Sequence, residues 1–379
     1  MSEFKVLVSS DSCLLPTGYS NQARNIFKRL ALDSNWEVNY FGWQYWGMPM
    51  QLKLEYGEST YENFSLYANF HNDSITQTKL TGSFKLLTGD GSNFGEGMLL
   101  NHLIDVQPDV LWMLGDLFMF QYLVRQNIDF SPTKGIIYFP SDGYPLPDGS
   151  SSVLSKFQYR VAMSKYGQAQ ATDMGFNDVL YIPHATDSNI FRPIEDKQTL
   201  RQKWSVRLRY DLTDKFIVGA INRLQPRKMY GELFKSFAKF AKTNPKAILL
   251  IHADPYDPSR SIDPFSLAQR LGISDKVVWT GMRFFKGCSE EELNEIYNLF
   301  DIHASSTSGE GFGITTIETM ACGVPIAITD FTTTKEIVTD NKAGIAVPLA
   351  NEIVGTYSVE RGLVSQEKLA DAMQYVCDN

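Results

Sequence analysis

Short apolar segments alternate with segments of helical period along most of this 379-residue chain, and this alternation constrains its fold more than any other feature. The first apolar segment covers residues 4–9, and the following segment, 19–32, repeats its apolar side chains at helical spacing. Further strand candidates lie at 38–41, 110–114, 135–139, 179–182, 216–220, 248–251 and 277–279, and near Ile302 and Ile326. Strands that are separated by helices pair in parallel. The pattern therefore predicts an α/β fold with parallel, doubly wound sheets.

The length of the chain predicts more than one domain. A chain of 379 residues can build two or three separate cores. A charged, helix-prone segment at 195–214 interrupts the alternation, so we place a boundary around residue 194 and predict Rossmann-like domains at 1–193 and 194–379. Segment 43–70 is rich in aromatic residues without helical period, which indicates short strands or an extended loop.

Composition argues against several classes of function. The net charge of −8 and the pI near 5.3 argue against general nucleic-acid binding. The four cysteines are scattered singly and no metal-ligand spacing occurs, so we expect no metal and a reduced, cytoplasmic protein. No apolar run is long enough to span a bilayer, which leaves peripheral membrane contact open.

A glycine-rich turn at 309–313 is the clearest candidate for a ligand site in the sequence. It follows a strand candidate and opens a helix that we expect to end near Cys322, because Gly323 suits the left-handed position and Pro325 prevents continuation. A helix N-terminus presents unpaired N–H groups and the positive end of the helix dipole. The turn therefore predicts a phosphate site.

Two glutamates bracket this site. Glu310 lies in the turn, and Glu318 lies four residues after Ile314, at the edge of the apolar face of the predicted helix. An isolated glutamate on a helix is ordinarily solvated, and that interpretation of Glu318 stays open. As a pair, the two carboxylates would accept hydroxyl groups on either side of a bound phosphate, one from a sugar and one from a ribose.

Segment 308–344, SGEGFGITTIETMACGVPIAITDFTTTKEIVTDNKAG, resembles the E-x7-E region of retaining GT-B glycosyltransferases of family 4. The resemblance implies that Glu310 contacts hydroxyls of the donor sugar and that Glu318 binds the nucleotide ribose. It assigns contacts with the donor diphosphate to Gly311, Phe312, Gly313 and Ile314.

An upstream segment resembles the same family. Strand candidate 216–220 is followed by Arg223 and Lys228, where family members carry an Arg and a Lys that clamp the donor phosphates. Two cations at the end of a strand would stabilise the charge that builds on a leaving nucleoside diphosphate. This chain departs from the family pattern in Asn222, where a glycine commonly precedes the arginine, and in Arg227, an additional cation.

The resemblance also suggests residues outside these two segments. It places Met282, after the strand candidate at 277–279, against the nucleobase, and Gly18, after the first strand, near the donor phosphates. Many relatives carry a histidine near the reacting sugar in the region where this chain has Asp142. Asp142 either orients the acceptor hydroxyl or accepts its proton, or it only forms a turn before Gly143.

Taken together, the resemblance implies a GT-B fold of two doubly wound Rossmann-like domains facing across a cleft. The implied activity is retaining transfer of a sugar from a nucleoside-diphosphate sugar, with UDP or GDP favoured, to an acceptor hydroxyl. The acceptor (a glycan, a lipid, a small molecule or a modified base) stays undetermined. The alternatives are an epimerase or phosphorylase on the same fold and a catalytically silent nucleotide-binding scaffold. Family members commonly end in a further helix, so an end at Asn379 predicts a truncated chain or more loosely held domains.

Overall fold

The computed structural model describes residues 4–33, 36–45, 50–56, 64–68, 83–87, 89, 93–283 and 287–379, and it divides into two compact units. The first unit comprises residues up to Pro140 together with Leu146–Met163 and Gly167–Pro183. The second comprises Ser141–Pro145, Ser164–Tyr166 and His184–Asn379. The predicted domain assignment, with its boundary near residue 194, stays a prediction.

The first unit is built on one nine-stranded sheet within the described residues. Its strands are β1 (Phe4–Ser10), β2 (Trp36–Gly42), β3 (Met50–Tyr56), β4 (Phe64–Ala68), β5 (Ser83–Leu87), β6 (Val110–Leu114), β7 (Lys134–Phe139), β8 (Tyr159–Ala162) and β9 (Leu180–Tyr181). They lie in the order β4-β3-β5-β2-β1-β6-β7-β8-β9. All neighbours pair in parallel except β3, which is antiparallel to both β4 and β5.

Five helices connect the strands described in this part of the chain. They are α1 (Gly18–Asp33), α2 (Leu99–Val106), α3 (Gln121–Arg125), α4 (Ser150–Leu154) and α5 (Lys165–Asp173). Strands β3 and β4 come from the aromatic-rich segment, where short strands were one of two predictions. Residues 90–92, which precede α2 and include Gly91, lie outside the described residues.

The second unit is built on a six-stranded parallel sheet. Its strands are β10 (Phe216–Ile221), β11 (Ala247–His252), β12 (Val277–Trp279), β13 (Ile302–Ser305), β14 (Ile326–Thr329) and β15 (Ile345–Val347). A separate antiparallel hairpin follows, made of β16 (Leu349–Val354) and β17 (Glu360–Val364). The helices are α6 (Lys197–Leu208), α7 (Tyr230–Ala241), α8 (Pro264–Leu271), α9 (Glu290–Leu299), α10 (Ile314–Ala321) and α11 (Gln366–Asp378).

The helices of the second unit cover both faces of this sheet. Helices α7, α8 and α11 pack on one face through Phe234, Leu267 and Leu369 among others. Helices α6 and α9 pack on the other face through side chains such as Trp204 and Ile296. Two buried layers on one sheet are what a doubly wound domain requires, so the predicted fold class is confirmed for this unit.

The strand order β12-β11-β10-β13-β14-β15 places a switch point between β10 and β13. The chain leaves β10 toward β11 on one side and later returns to β13 on the other side. In open parallel sheets the loops diverge at such a point and leave a crevice beyond the carboxyl ends of the strands. The loop after β10 and the loop after β13 therefore meet at the place where this fold binds ligands.

The structure also differs from the sequence predictions. The hairpin β16–β17 was not predicted, and it precedes the last helix, which begins at Gln366. Among the described residues, no helix combines the length and the apolar character needed to cross a membrane.

Candidate active site

The loops that follow β10 and β13 are joined by hydrogen bonds. Ser308 donates its backbone N–H to the carbonyl of Arg227 at 2.7 Å. The Ser306 hydroxyl donates to the carbonyl of Lys228 at 3.0 Å. These bonds join the loop after β10, which carries Lys228, to the loop after β13, which carries Glu310. The side chains of Lys228 and Glu310 therefore meet.

Lys228 and Glu310 form a buried ion pair. Lys228 Nζ donates to Glu310 Oε1, and the two residues are 8% and 7% exposed. Arg227 Nη1 lies 3.2 Å from the other carboxylate oxygen, Oε2, and also donates to the carbonyl of Gly309 at 3.1 Å. Thr332 exchanges hydrogen bonds of 3.0 Å with the backbone N–H and C=O of Glu310. Both oxygens of the carboxylate thus have cationic partners.

The environment keeps this pair ionised. Burial by itself would raise the pKa of the Glu310 carboxyl, but the charges of Lys228 and Arg227 outweigh it and lower that pKa to about 2. Burial and the neighbouring Arg227 lower the pKa of Lys228 to about 8, against the opposing effect of Glu310. At neutral pH the site therefore holds one fixed carboxylate between two cations.

Asp142 belongs to the same cluster. Its Oδ2 lies 3.6 Å from Arg227 Nε, and its Oδ1 lies 2.9 Å from Arg361 Nη2. Arg227 therefore contacts the carboxylates of both Asp142 and Glu310. One of the two open interpretations was that Asp142 only forms a turn before Gly143. Its ion pairs with Arg227 and Arg361 argue against that interpretation.

Glu318 is buried on α10 and is not solvated, which makes the ordinary interpretation of this residue wrong. It is 7% exposed, and the Tyr297 hydroxyl on α9 donates to its Oε2 at 2.6 Å. Burial raises the pKa of the Glu318 carboxyl to about 8, because the Tyr297 hydrogen bond compensates only in part. In the protein without ligand, Glu318 is therefore mainly protonated at neutral pH.

Helix α10 begins beside the Lys228–Glu310 pair. Gly313 precedes its first residue with φ 97°, a left-handed conformation that favours glycine, and provides no side-chain cap. Phe312 is buried, and its ring lies 5.2 Å from that of His184. Gly311, Phe312, Gly313 and Ile314 thus form the turn and helix start that the sequence predicted.

The remaining predicted residues lie in other surroundings. Arg223 forms a two-point ion pair with the buried Asp257, with Nε–Oδ2 at 2.9 Å and Nη2–Oδ1 at 3.1 Å. Met282 is half-buried beyond the end of β12, directly after Gly281 with φ 80°. Gly18 is the first residue of α1 and belongs to the first unit.

Sequence reasoning missed three partners of the predicted residues. They are Arg361 beside Asp142, Tyr297 beside Glu318 and Asp257 beside Arg223. Tyr297 lies 21 positions from Glu318, and Arg361 lies 219 positions from Asp142. No local pattern connects residues that far apart.

Comparison with known proteins agrees with this architecture. Residues 202–371 match the family described as glycosyl transferases group 1. A mannosylfructose-phosphate synthase of Agrobacterium fabrum is 31% identical over 39% of this chain and 32% of its own length. A GDP-mannose-dependent alpha-(1-6)-phosphatidylinositol monomannoside mannosyltransferase of Mycolicibacterium smegmatis is 27% identical over 52% of this chain and 50% of its own. The chain thus matches half or less of the length of these curated relatives.

Solved structures match over the whole chain. A sucrose-phosphate synthase from Thermosynechococcus elongatus covers 100% of this chain and 90% of its own, with a TM-score of 0.69 and 15% identity. The Anabaena protein HepE, in complex with UDP and glucose, gives a TM-score of 0.68 at 15% identity and the same coverage. At this identity the likeness concerns the fold. The chain therefore has the GT-B fold, and its residues 202–371 match the family described as glycosyl transferases group 1.

Proposed function

We propose that this protein transfers a sugar from a nucleoside-diphosphate sugar to an acceptor hydroxyl, with retention of the anomeric configuration. The observation that carries the proposal is the buried Lys228–Glu310 pair with Arg227, at the switch point of the sheet and beside the start of α10. Ion pairs occur in many proteins. This one lies in the segment that matches the glycosyl transferases group 1 family, in the crevice that such sheets use for ligands.

The proposed donor is a UDP- or GDP-sugar. One curated relative is GDP-mannose-dependent, and one structural relative was solved with UDP. The diphosphate would meet the N–H groups of the turn 311–314 and the positive end of the α10 dipole. Lys228 and Arg223 would stabilise the charge on the leaving diphosphate.

The two glutamates have different proposed roles. Glu310 would accept hydrogen bonds from donor-sugar hydroxyls, since both of its oxygens already pair with cations and a low pKa makes it a weak nucleophile. Glu318 would bind the ribose, losing its proton as the ribose hydroxyls replace or join Tyr297. Met282 would lie against the base.

The acceptor side centres on Asp142. Its carboxylate would orient the attacking hydroxyl or take its proton. Two relatives are named as a phosphatidylinositol monomannoside mannosyltransferase and a D-inositol 3-phosphate glycosyltransferase, and we propose no specific acceptor for this chain. The single, unpaired cysteines support the proposed cytoplasmic location.

A binding panel tests the proposed donor site. The wild type is mixed with UDP, GDP, ADP, CMP and dTDP, and its melting temperature and Kd are measured. We expect one nucleoside diphosphate to stabilise the protein, and Glu318→Ala to weaken its binding by about 1–3 kcal/mol. Glu291→Ala is the matched control, because Glu291 is an exposed carboxylate on α9. Absence of binding to all five nucleotides would overturn the proposal.

A further inference from the structure

The hairpin β16–β17 lies outside the six-stranded sheet, and its second strand contacts two loops of the candidate site. Glu360 and Tyr144 exchange backbone hydrogen bonds, from Tyr144 N–H to the Glu360 carbonyl at 3.2 Å and back at 2.5 Å. Gly362 donates its N–H to the carbonyl of Ser308 at 2.9 Å. One strand therefore holds the loop that contains Asp142 and also the loop that leads to Glu310.

Arg361 lies between these two backbone contacts and reaches Asp142 twice. Its Nη1 donates to the Asp142 backbone carbonyl at 2.7 Å, and its Nη2 lies 2.9 Å from Oδ1. The Arg361 side chain is 15% exposed. A planar guanidinium bound to both the carbonyl and the carboxylate of one residue fixes the position and the direction of that side chain.

The fit around Asp142 leaves little room for movement. A Cβ atom on Gly309 would lie 1.9 Å from the backbone oxygen of Asp142, so these two loops are in direct backbone contact. Gly309 immediately precedes Glu310, and Arg227 contacts the carboxylates of both acidic residues. The backbone contact at Gly309 and the guanidinium of Arg227 thus hold Asp142 and Glu310 close to one another.

We propose that Arg361 is a positioning residue, which the hairpin β16–β17 places so that the Asp142 carboxylate faces the acceptor hydroxyl beside the donor site. The proposal rests on the proposed function, since it assigns the geometry of the acceptor step. Arg361 touches neither the donor nor the acceptor and acts through Asp142. Its loss should slow transfer and leave nucleotide binding intact.

The test uses water as the simplest hydroxyl acceptor and measures nucleoside diphosphate released from the nucleotide sugar that matches the best-binding nucleotide. We expect Arg361→Ala to lower kcat about tenfold or more, with the donor KM and the nucleotide Kd within about twofold of wild type. Arg361→Lys keeps the charge but not the two-point contact, so kcat should recover in part. Arg270→Ala, which removes an exposed arginine on α8, is the matched control.

A double variant shows whether Arg361 acts through Asp142. If it does, Arg361→Ala combined with Asp142→Asn should be no slower than Asp142→Asn alone. Wild-type kcat in Arg361→Ala, or losses that multiply in the double variant, would overturn the positioning role alone. If Arg361→Ala does not fold, Arg361→Lys replaces it in the test, and we expect a partial loss of kcat in that variant. If the wild-type protein binds the nucleotide but releases no nucleoside diphosphate from the nucleotide sugar, the proposed function is overturned. The positioning role of Arg361 is then overturned as well.

Discussion

At the scale of single residues, the candidate site depends on two buried carboxyl groups whose surroundings push their pKa values in opposite directions. Glu310 lies between Lys228 and Arg227 and has a pKa of about 2. Glu318 has the Tyr297 hydroxyl as its partner and a pKa of about 8. Glu310 is therefore ionised at neutral pH. Glu318 becomes ionised only above neutral pH, or when a bound ligand stabilises its negative charge.

Loss of either member of the central ion pair should reduce turnover. We expect Glu310→Gln and Lys228→Ala each to lower kcat by about 100-fold or more, because each removes a contact proposed for the transition state. Steady-state release of nucleoside diphosphate measures this, below the melting temperature of each variant. Lys235→Ala is the control, since Lys235 is a half-buried lysine that pairs with Glu232 on α7. Wild-type kcat in both variants would contradict the site assignment.

Glu318→Gln should increase stability in a pH-dependent way. Between about pH 4.5 and 8 the unfolded chain has released the Glu318 proton and the folded protein still holds it, so this group lowers the free energy of unfolding as pH rises. Glutamine has no proton to release and can still accept from Tyr297. The stability gain over wild type should therefore grow from pH 5 to pH 8 in urea unfolding.

The control for this experiment is Glu291→Gln, which removes an exposed carboxyl from the neighbouring helix. A gain for Glu318→Gln that is constant over the pH range, or that shrinks as pH rises, would show that the buried carboxyl is ionised in the folded protein.

At the scale of elements, the site is made by two loops of one parallel sheet and a hairpin that follows it. The sequence was sufficient to predict β10, β13, α10 and the glycine turn, because apolar runs, helical spacing and Gly and Pro act locally. It was sufficient to suggest Lys228 and Glu310 through the family resemblance. Their ion pair follows from the strand order, which brings the loop after β10 beside the loop after β13.

The partners of the predicted residues were beyond sequence reasoning for a physical reason. Arg361, Tyr297 and Asp257 act through contacts between distant parts of the chain, and no spacing rule encodes such contacts. The burial of Glu318 is a similar case. Helical spacing placed it at the edge of an apolar face, but only the packing of α9 against α10 determines that the carboxyl lies inside.

Gly309 tests the contact between the two loops. In Gly309→Ala the new Cβ would meet the Asp142 carbonyl at 1.9 Å, so one loop must shift. We expect a loss of about 1–3 kcal/mol in unfolding free energy and a lower kcat. The control is Gly231→Ala near the start of α7, where a Cβ meets nothing within 4 Å and alanine suits the helix. Equal stability of the two variants would show that the loops are not in the described contact.

At the scale of the whole molecule, the chain is acidic, with a net charge of −8, yet the candidate site concentrates cations. Lys228, Arg227 and Arg361 face the carboxylates of Glu310 and Asp142, which leaves one positive charge in excess. An anionic diphosphate is therefore favoured at this place on an otherwise acidic protein. A fold alone does not imply function. The proposed activity therefore depends on these charged residues and not on the GT-B fold by itself.

The most direct test of the central claim is a proton NMR time course of the matching nucleotide sugar with the wild-type protein, in water and with added monosaccharides as acceptors. The account predicts release of nucleoside diphosphate together with a sugar or glycoside that first appears in the anomeric configuration of the donor, at a rate lowered about 100-fold or more in Lys228→Ala. An inverted product, a sugar changed while still attached to the nucleotide, or a bound donor that stays intact would contradict it.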